Sequence, residues 1–258
     1  MARQLTDQPP VGDERADRWL FELIDLSRPV TEDTAYALLG DIVAGEDNKH
    51  YREVSITYDR TWSDSNGTLC HLNLPDHVAT HMDAPIHCVE GAPALEGVDI
   101  SRLIGEAAVL DLYKGHADYG YTADDLENAT PTVEEGDIVL IYSGIKDADP
   151  DERIKQTYLT VGAAEWLVER GVHAVGMEPA GVEHVPDGLF KYRWYDKDTE
   201  HLPSWPAHQV LLKEHVYIIE GLTNLDRIKG QRVRFAGLPA LIPGLSGCPI
   251  RAVAWLDR

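Results

Sequence analysis

The stretch His77-Val78-Ala79-Thr80-His81-Met82-Asp83-Ala84-Pro85-Ile86-His87 places three histidines and one aspartate within a few residues of one another. Imidazole nitrogen and carboxylate oxygen are the usual donors to zinc and similar divalent ions. In a helix, the four-residue spacing of His77 and His81 sets both rings on one face. Pro85 argues against a long helix, so a short turn is expected. Either conformation lets His-x-x-x-His-x-Asp converge on one ion. The bland alternative is a polar loop with incidental histidines. An acid set among three histidines favours the metal site. Three protein ligands must be completed by water or by further side chains. The second half of the chain offers His173, His184, His201, His208 and His215, with the acids Glu178, Glu183 and Glu220. Spacing alone does not choose among them.

A divalent ion held there would lower the pKa of bound water towards about 7 and polarise a carbonyl oxygen. His87 lies four residues beyond Asp83 and titrates where acid–base work needs it, so it is a candidate proton carrier. A further ligand, or a hydrogen-bonding partner of one, is the other reading of His87. Competing motifs are weak. Gly144 belongs to no phosphate loop, and there is no Gly-x-Ser-x-Gly elbow. Cys88 adjoins His87, but neighbouring side chains on an extended chain point apart, which argues against a thiol nucleophile paired with that histidine.

The elements that must position these residues are readable in outline. Residues 1–18 are polar and read as a loose arm, with the domain running from 19 to 258. Phe21 to Leu26 reads as a first strand, and residues 28–50 as an irregular stretch that could cover a pocket. Val54, Ile56 and Tyr58 alternate with polar residues, as in a half-buried strand. Asn66-Gly67 signals a type I′ turn, and Thr68 to Leu74 reads as the return strand that runs straight into the histidines. Ala107 to Leu112 and Ile138 to Tyr142 are short apolar runs that read as buried strands. Thr160 to Arg170 is the clearest helix, capped by Thr160 and closed by Gly171. His173 to Met177 follows as a strand, giving an α/β unit. Residues 183–207 form a long loop rich in Pro, Trp, Tyr and charge, in which Trp194 and Tyr195 are candidates to line a pocket. A short helix near Ala207 to Lys213 and strands at Val216 to Glu220, Val233 to Leu238 and Ala252 to Leu256 complete the chain. The segment 239–249 between the last two strands reads as a loop.

The stretch His77 to His87 resembles the signature of the cyclase family, which includes bacterial kynurenine formamidases and isatin hydrolases. The likeness continues through Ala207 to Leu212 and Ile219 to Leu225, then through Leu238-Pro239 and Gly247 to Ala254. It therefore spans from about Leu23 to the C-terminus. The resemblance implies an α/β fold, a single compact domain of the swivelling β/β/α type with mixed sheets. It implies His77, His81, Asp83, His208 and Glu220 as metal ligands, with Asp83 and Glu220 suited to bridge two metals, and His87 as the catalytic histidine. The implied cofactor is a divalent metal, zinc or manganese, with one or two ions per chain. The implied activity is hydrolysis of an amide, cyclic amide or related acyl bond of a small-molecule substrate. A metal-binding module without catalysis, or a cyclase or dehydratase, are the alternatives. A homo-oligomer, dimer or tetramer, is also implied. Three positions depart from the signature. Ala79 stands at its glycine, a tolerable change unless the backbone needs positive φ. Leu38-Leu39-Gly40-Asp41 stands where the formamidases carry Trp-Pro-Gly-Asp. Gly176-Met177-Glu178-Pro179-Ala180-Gly181 stands for Gly-(Ile/Thr)-Asp-x-x-Ser.

Composition bounds the rest. With 258 residues, 43% of them hydrophobic, the chain can bury a core without disulfide staples, and one domain is the simplest reading. Cys70, Cys88 and Cys248 are too few and odd in number for a disulfide framework. The N-terminus has no apolar stretch of signal type and no run is long enough to span a membrane, so the expected location is the cytoplasm. Asp and Glu total 44 against 23 Lys and Arg, a net charge of −21. Such a surface repels nucleic acid and anionic lipid, which excludes both as expected partners. It fits either a plain acidic cytosolic protein or one adapted to high salt, where screening relieves self-repulsion. Under the second reading the melting temperature rises steeply from low to molar salt; a flat response in a thermal scan selects the first.

Overall fold

The computed structural model describes residues 21–31, 54–115, 119–144, 157–179, 181–183 and 205–257. The expected arm at 1–18, the covering stretch beyond residue 31, with Leu38 to Asp41, and most of the 183–207 loop, with Trp194 and Tyr195, lie outside them.

Strand β1 (Phe21–Asp25) comes first, followed by the hairpin of β2 (Ser55–Arg60) and β3 (Leu69–Asn73), whose connection contains the single turn α1 (Trp62–Ser65). Next are β4 (His81–Asp83), β5 (Ile104–Asp111), β6 (Gly120–Tyr121) and helix α2 (Ala123–Glu127). The central portion continues with β7 (Ile138–Tyr142), β8 (Tyr158–Leu159), α3 (Val161–Glu169) and β9 (Ala174–Met177). The chain ends with α4 (Pro206–Lys213), β10 (Tyr217–Glu220), β11 (Arg232–Ala236), β12 (Gly247–Pro249) and β13 (Val253–Asp257).

Nine of these strands form one mixed sheet in the order β1-β13-β11-β5-β7-β9-β10-β4-β12. Its centre, β5-β7-β9-β10, is parallel, and both flanks are antiparallel. The apolar runs account for the parallel centre, because a parallel sheet is covered on both faces. Ala107 and Val109 of β5 join Ile138 and Leu140 of β7 in one core cluster, whereas Ala108, Leu110, Val139 and Ile141 join a second. Helices α3 and α4 cover that second face with Ala163, Ala164, Leu167, Ala207, Leu211 and Leu212. Each such Leu or Ile contributes about 1.5–3 kcal/mol relative to an exposed one. The result is the α/β fold with a large mixed sheet, of the swivelling β/β/α type.

The helix signals act as the residues imply. The Thr160 hydroxyl accepts a hydrogen bond from the Ala163 amide, and Gly171 ends α3 with φ +70°. Pro206 occupies the first turn of α4, where its missing N–H costs nothing.

Three local expectations are corrected. Asn66 does not form a type I′ turn; it is the left-handed cap (φ 53°) of α1, which lengthens the hairpin connection. The hairpin is not half-buried: every residue of β3, and all of β2 beyond Ser55, is exposed. Segment 239–249 is not wholly loop, since its end forms β12 against β4. Strands of three residues are too short to show a period.

Gly176 of β9 marks where the core has no slack. A Cβ there would lie 2.7 Å from Leu222 Cδ1 and 2.8 Å from Leu140 Cδ2. Gly176→Ala is therefore expected to lower stability by about 1–3 kcal/mol through overpacking. Urea unfolding should show an earlier midpoint with unchanged slope; an unmoved midpoint would mean that Leu140 and Leu222 give way freely.

Candidate metal centre

Neither helix nor turn carries the central histidine. His81 to Asp83 is strand β4, so the two-residue period aims His81 and Asp83 at the same side. Strand β10 runs antiparallel beside it, with Glu220 opposite His81 and Ile218 opposite Asp83. On β4's other edge, Gly247 faces Asp83 and Pro249 faces His81. The fourth side chain comes from α4, whose buried face consists of Ala207, His208, Leu211 and Leu212.

These elements bring His81, Asp83, His208 and Glu220 into a closed ring, each no more than 5% exposed. His81 Nε2 lies 3.5 Å from Asp83 Oδ1 and 3.4 Å from Glu220 Oε2. His208 Nε2 lies 3.6 Å from Asp83 Oδ2 and 3.3 Å from Glu220 Oε1. Each carboxylate thus turns one oxygen to each histidine. His81 Nε2 and both oxygens of Asp83 are buried with no hydrogen-bond partner. Buried polar atoms are rarely left in that state. The separations instead match the edge of a tetrahedron, about 3.3–3.6 Å for donors about 2.0–2.2 Å from a common ion. The donor set and its geometry fit a divalent cation.

Charge agrees with geometry. Burial works against an imidazolium at His81, yet Glu220 and Asp83 outweigh it and raise its pKa to about 9. His208 is likewise raised against its burial, by Asp83, Glu183 and Glu220. Asp83 stays well below the usual carboxylate range despite complete burial, because His77 and His208 attract its charge. The pocket demands positive charge at its centre, and protons on the histidines or a divalent ion can meet that demand.

His77 and His87 stand at the rim. His77 Nδ1 lies 2.8 Å from Asp83 Oδ1, and its Nε2 lies 2.9 Å from Ser246 Oγ. Ser246 in turn donates to Asp76 Oδ2 at 2.7 Å. His77, Asp83 and His87 form a second donor group beside the ring of His81, Asp83 and Glu220. The rings of His77 and His87 are 4.0 Å apart, and those of His87 and His208 5.7 Å. His87 is exposed, on the short helical turn Pro85–His87. Its inner edge is shielded from water, and this with repulsion from His77 and His208 lowers its pKa against the pull of Asp83. The open face of the ring limits the shift; its direction makes His87 a neutral imidazole at neutral pH. Burial pushes the neighbouring Cys88 thiol up to about 11, away from thiolate chemistry.

Of the other candidates, Glu183 is brought against the ring, at His208. Its Oε1 accepts from the His208 amide at 2.9 Å and faces His208 Nδ1 at 3.2 Å. A proton on Nδ1 leaves the Nε2 lone pair for the ring. Glu178 points elsewhere: its Oε2 accepts from the amides of Ser143 and Gly144 and from Ser143 Oγ. His173 stands just before β9, and His184 and His201 fall outside the described residues. Gly247 is legible only afterwards; a Cβ there would lie 2.5 Å from the His77 ring. Ala79 does take positive φ, at 54°, so the signature's glycine is replaced where the backbone favours one. Its methyl packs in a small cluster with Val54 and Val78, while Thr80 donates to the Gly221 carbonyl and accepts from the Arg28 amide. That clamp holds β4 to the end of β10 across the strained residue.

A family model described as "Putative cyclase" matches residues 24–184. Among curated relatives, a kynurenine formamidase of Salinibacter ruber is 27% identical over 235 residues, covering 90% of this chain and 96% of that protein. An isatin hydrolase of Roseibium aggregatum is 28% identical over 213 residues, covering 76% and 78% respectively. Among solved structures, an isatin hydrolase bound to the product analogue thioisatinate superposes with a TM-score of 0.74 at 21% identity, covering 95% of each chain. A potential metal-dependent hydrolase with cyclase activity gives 0.68 at 24% identity, covering 92% of this chain and 98% of the other.

Glu183 supplies the test of the centre's design. Removing a carboxylate that orients a ligating histidine typically weakens metal binding about 10–100-fold. Glu183→Ala should show that loss in competition against a chromophoric chelator, with Glu183→Gln recovering part of it. Equal affinities in all three proteins would mean that His208 is placed without Glu183.

Proposed function

The chain belongs to the cyclase family, and on that premise we propose that it is a metal-dependent hydrolase that cleaves an amide, cyclic amide or related acyl bond of a small molecule. The observation that carries this reading is the buried ring of His81, Asp83, His208 and Glu220, with orphaned donor atoms at tetrahedral-edge separations and an exposed histidine beside it. A divalent ion held there would act as a Lewis acid on the carbonyl and make a nearby water acidic. Nitrogen and oxygen donors without sulfur suit zinc or manganese. The two-sided carboxylates accommodate one or two ions. His77, beside Asp83 at the rim, completes the ligand set that the family pattern implies.

His87 performs the proton work in this proposal. Its neutral imidazole accepts the proton that the attacking water gives up. It then delivers that proton to the leaving nitrogen or oxygen as the acyl bond breaks. Exposure lets it meet a substrate, and the shielding of its inner edge from water, with repulsion from His77 and His208, keeps it neutral and ready as a base. A metal-binding module would not need such a residue. The relatives' names point to formamide or lactam bonds joined to an aromatic amine. Glu178, which departs from the family's shorter acid, is committed to the backbone of Ser143 and Gly144 and leaves that class open.

Purified protein is expected to hold about one to two divalent ions per chain by elemental analysis, and to hydrolyse an N-formyl arylamine or an isatin-like cyclic amide. His81→Ala should lose metal and turnover together. His87→Ala should keep its metal while turnover falls by about 10²–10⁴-fold, the usual worth of a positioned acid–base group. Loss of metal from His87→Ala would make it a ligand; retention of both metal and full turnover would defeat the mechanism.

A further inference from the structure

Three histidines turn one ring nitrogen each to the carboxylates of the centre and the other nitrogen away from them. A neutral imidazole carries its proton on one nitrogen, and the other holds the lone pair that a cation takes. The partner of the outward nitrogen therefore decides which nitrogen can serve as a donor atom. His81 Nδ1 faces the Ala79 carbonyl oxygen at 3.2 Å, and His208 Nδ1 faces Glu183 Oε1 at 3.2 Å. A carbonyl oxygen and an ionised carboxylate can only accept, so both rings carry their proton on Nδ1 and present Nε2. His81 Nε2 is accordingly one of the buried atoms without a hydrogen-bond partner.

His77 is the other way round. Its Nδ1 faces Asp83 Oδ1 at 2.8 Å, and its outward atom is Nε2, 2.9 Å from Ser246 Oγ. A hydroxyl can donate or accept, so a serine alone would leave the tautomer open. Asp76 removes that freedom. Ser246 gives its one hydroxyl proton to Asp76 Oδ2 at 2.7 Å, so its oxygen can only accept from His77. The His77 proton is thereby held on Nε2, and the lone pair stays on Nδ1, toward Asp83. Space fixes the same ring. A Cβ at Gly247 would lie 2.5 Å from His77 Cε1, 2.8 Å from Nε2 and 2.9 Å from Nδ1. Gly247 has no left-handed backbone, so room for the ring is what calls for glycine there. The Ser246 carbonyl accepts from the Ala84 amide at 2.8 Å, which ties this segment to the end of β4.

We propose, on the premise that the centre holds a divalent cation, that Ser246, Asp76 and Gly247 are positioning residues that make His77 a ligand through Nδ1, whereas His81 and His208 bind through Nε2. Ser246 and Asp76 act on the ion only through the His77 ring. Strand β12, which flanks β4, begins at Gly247, so the segment that completes the sheet beside the ligand strand also sets the tautomer of the first histidine.

Nitrogen spectra of protein carrying isotope-labelled histidine, loaded with a spin-active cadmium isotope, read the assignment directly. The one-bond cadmium–nitrogen coupling is expected at Nδ1 of His77 and at Nε2 of His81 and His208. In competition against a chromophoric chelator, Ser246→Ala and Asp76→Ala should each weaken zinc binding about 10–100-fold, the usual loss when the partner of a ligating histidine is removed. Ser246→Thr keeps the hydroxyl and should recover most of the affinity. Coupling at Nε2 of His77, or none at His77, overturns the proposal while the metal-dependent reading stands. Wild-type affinity in Ser246→Ala or Asp76→Ala, or a Ser246→Thr as weak as Ser246→Ala, overturns it as well. A wild type that takes up neither cadmium nor zinc overturns the metal-dependent reading, and the proposal with it. The coupling is measured on the wild type, so it decides the matter even where a variant fails to fold.

Discussion

Two carboxylates, Asp83 and Glu220, sit inside the protein almost out of reach of water, on strands that pair with one another. Water solvates a carboxylate far better than a protein interior does, so burying two of them in contact is unfavourable unless positive charge lies between or beside them. Much of the surrounding structure answers that demand. His81 and His208 close the ring, Glu183 holds His208 from behind, and His77 approaches Asp83 from the rim. A cluster of this kind is costly as a structural feature, since apolar side chains would pack there more stably. Its cost is understandable as the requirement of a cation site.

The fold converts sequence-distant residues into that ring through strand register. A one-residue slip of β4 against β10 would turn His81 and Asp83 to the opposite face. Several features prevent the slip. Thr80 ties β4 to Gly221, Arg28 donates to the carbonyls of Gly221 and Leu222, and β12 flanks β4 on its other edge. Ala79 accepts a left-handed backbone at the start of this strand, a conformation costing an L-residue about 1–2 kcal/mol. The packing of its methyl with Val54 and Val78 offsets part of that cost. Strain next to the candidate ligands is where a structure that fixes geometry tightly tends to keep it.

Surface and centre obey opposite rules. The exterior carries an excess of acid that keeps molecules apart, while the interior gathers its acids around a site for positive charge. Among the described residues, the β2–β3 hairpin is an exception on the outside, with a net charge of only −1 over 54–74 and one apolar face. It is joined to the first histidine by only a few residues.

The sequence by itself determined the elements that report a period or a punctuation. The runs at Ala107 and Ile138, the helix between Thr160 and Gly171, and the clustering of His77, His81, Asp83 and His87 were all legible, because each signal is local. His208 and Glu220 were legible only through resemblance, since no local rule separates them from His173, His215 or Glu178. Only the tertiary structure decided that Glu220 faces His81, that His208 reaches the ring, and that Glu183 stands behind it. It also decided that β4 is a strand, in a segment too short and too rich in function to show alternation. The hairpin teaches the same lesson in reverse. Its alternation separated an apolar from a polar face, but a period states only that a face is apolar, not that anything lies against it. Burial belongs to pairs of segments distant along the chain, and that information appears only once the sheet has ordered them.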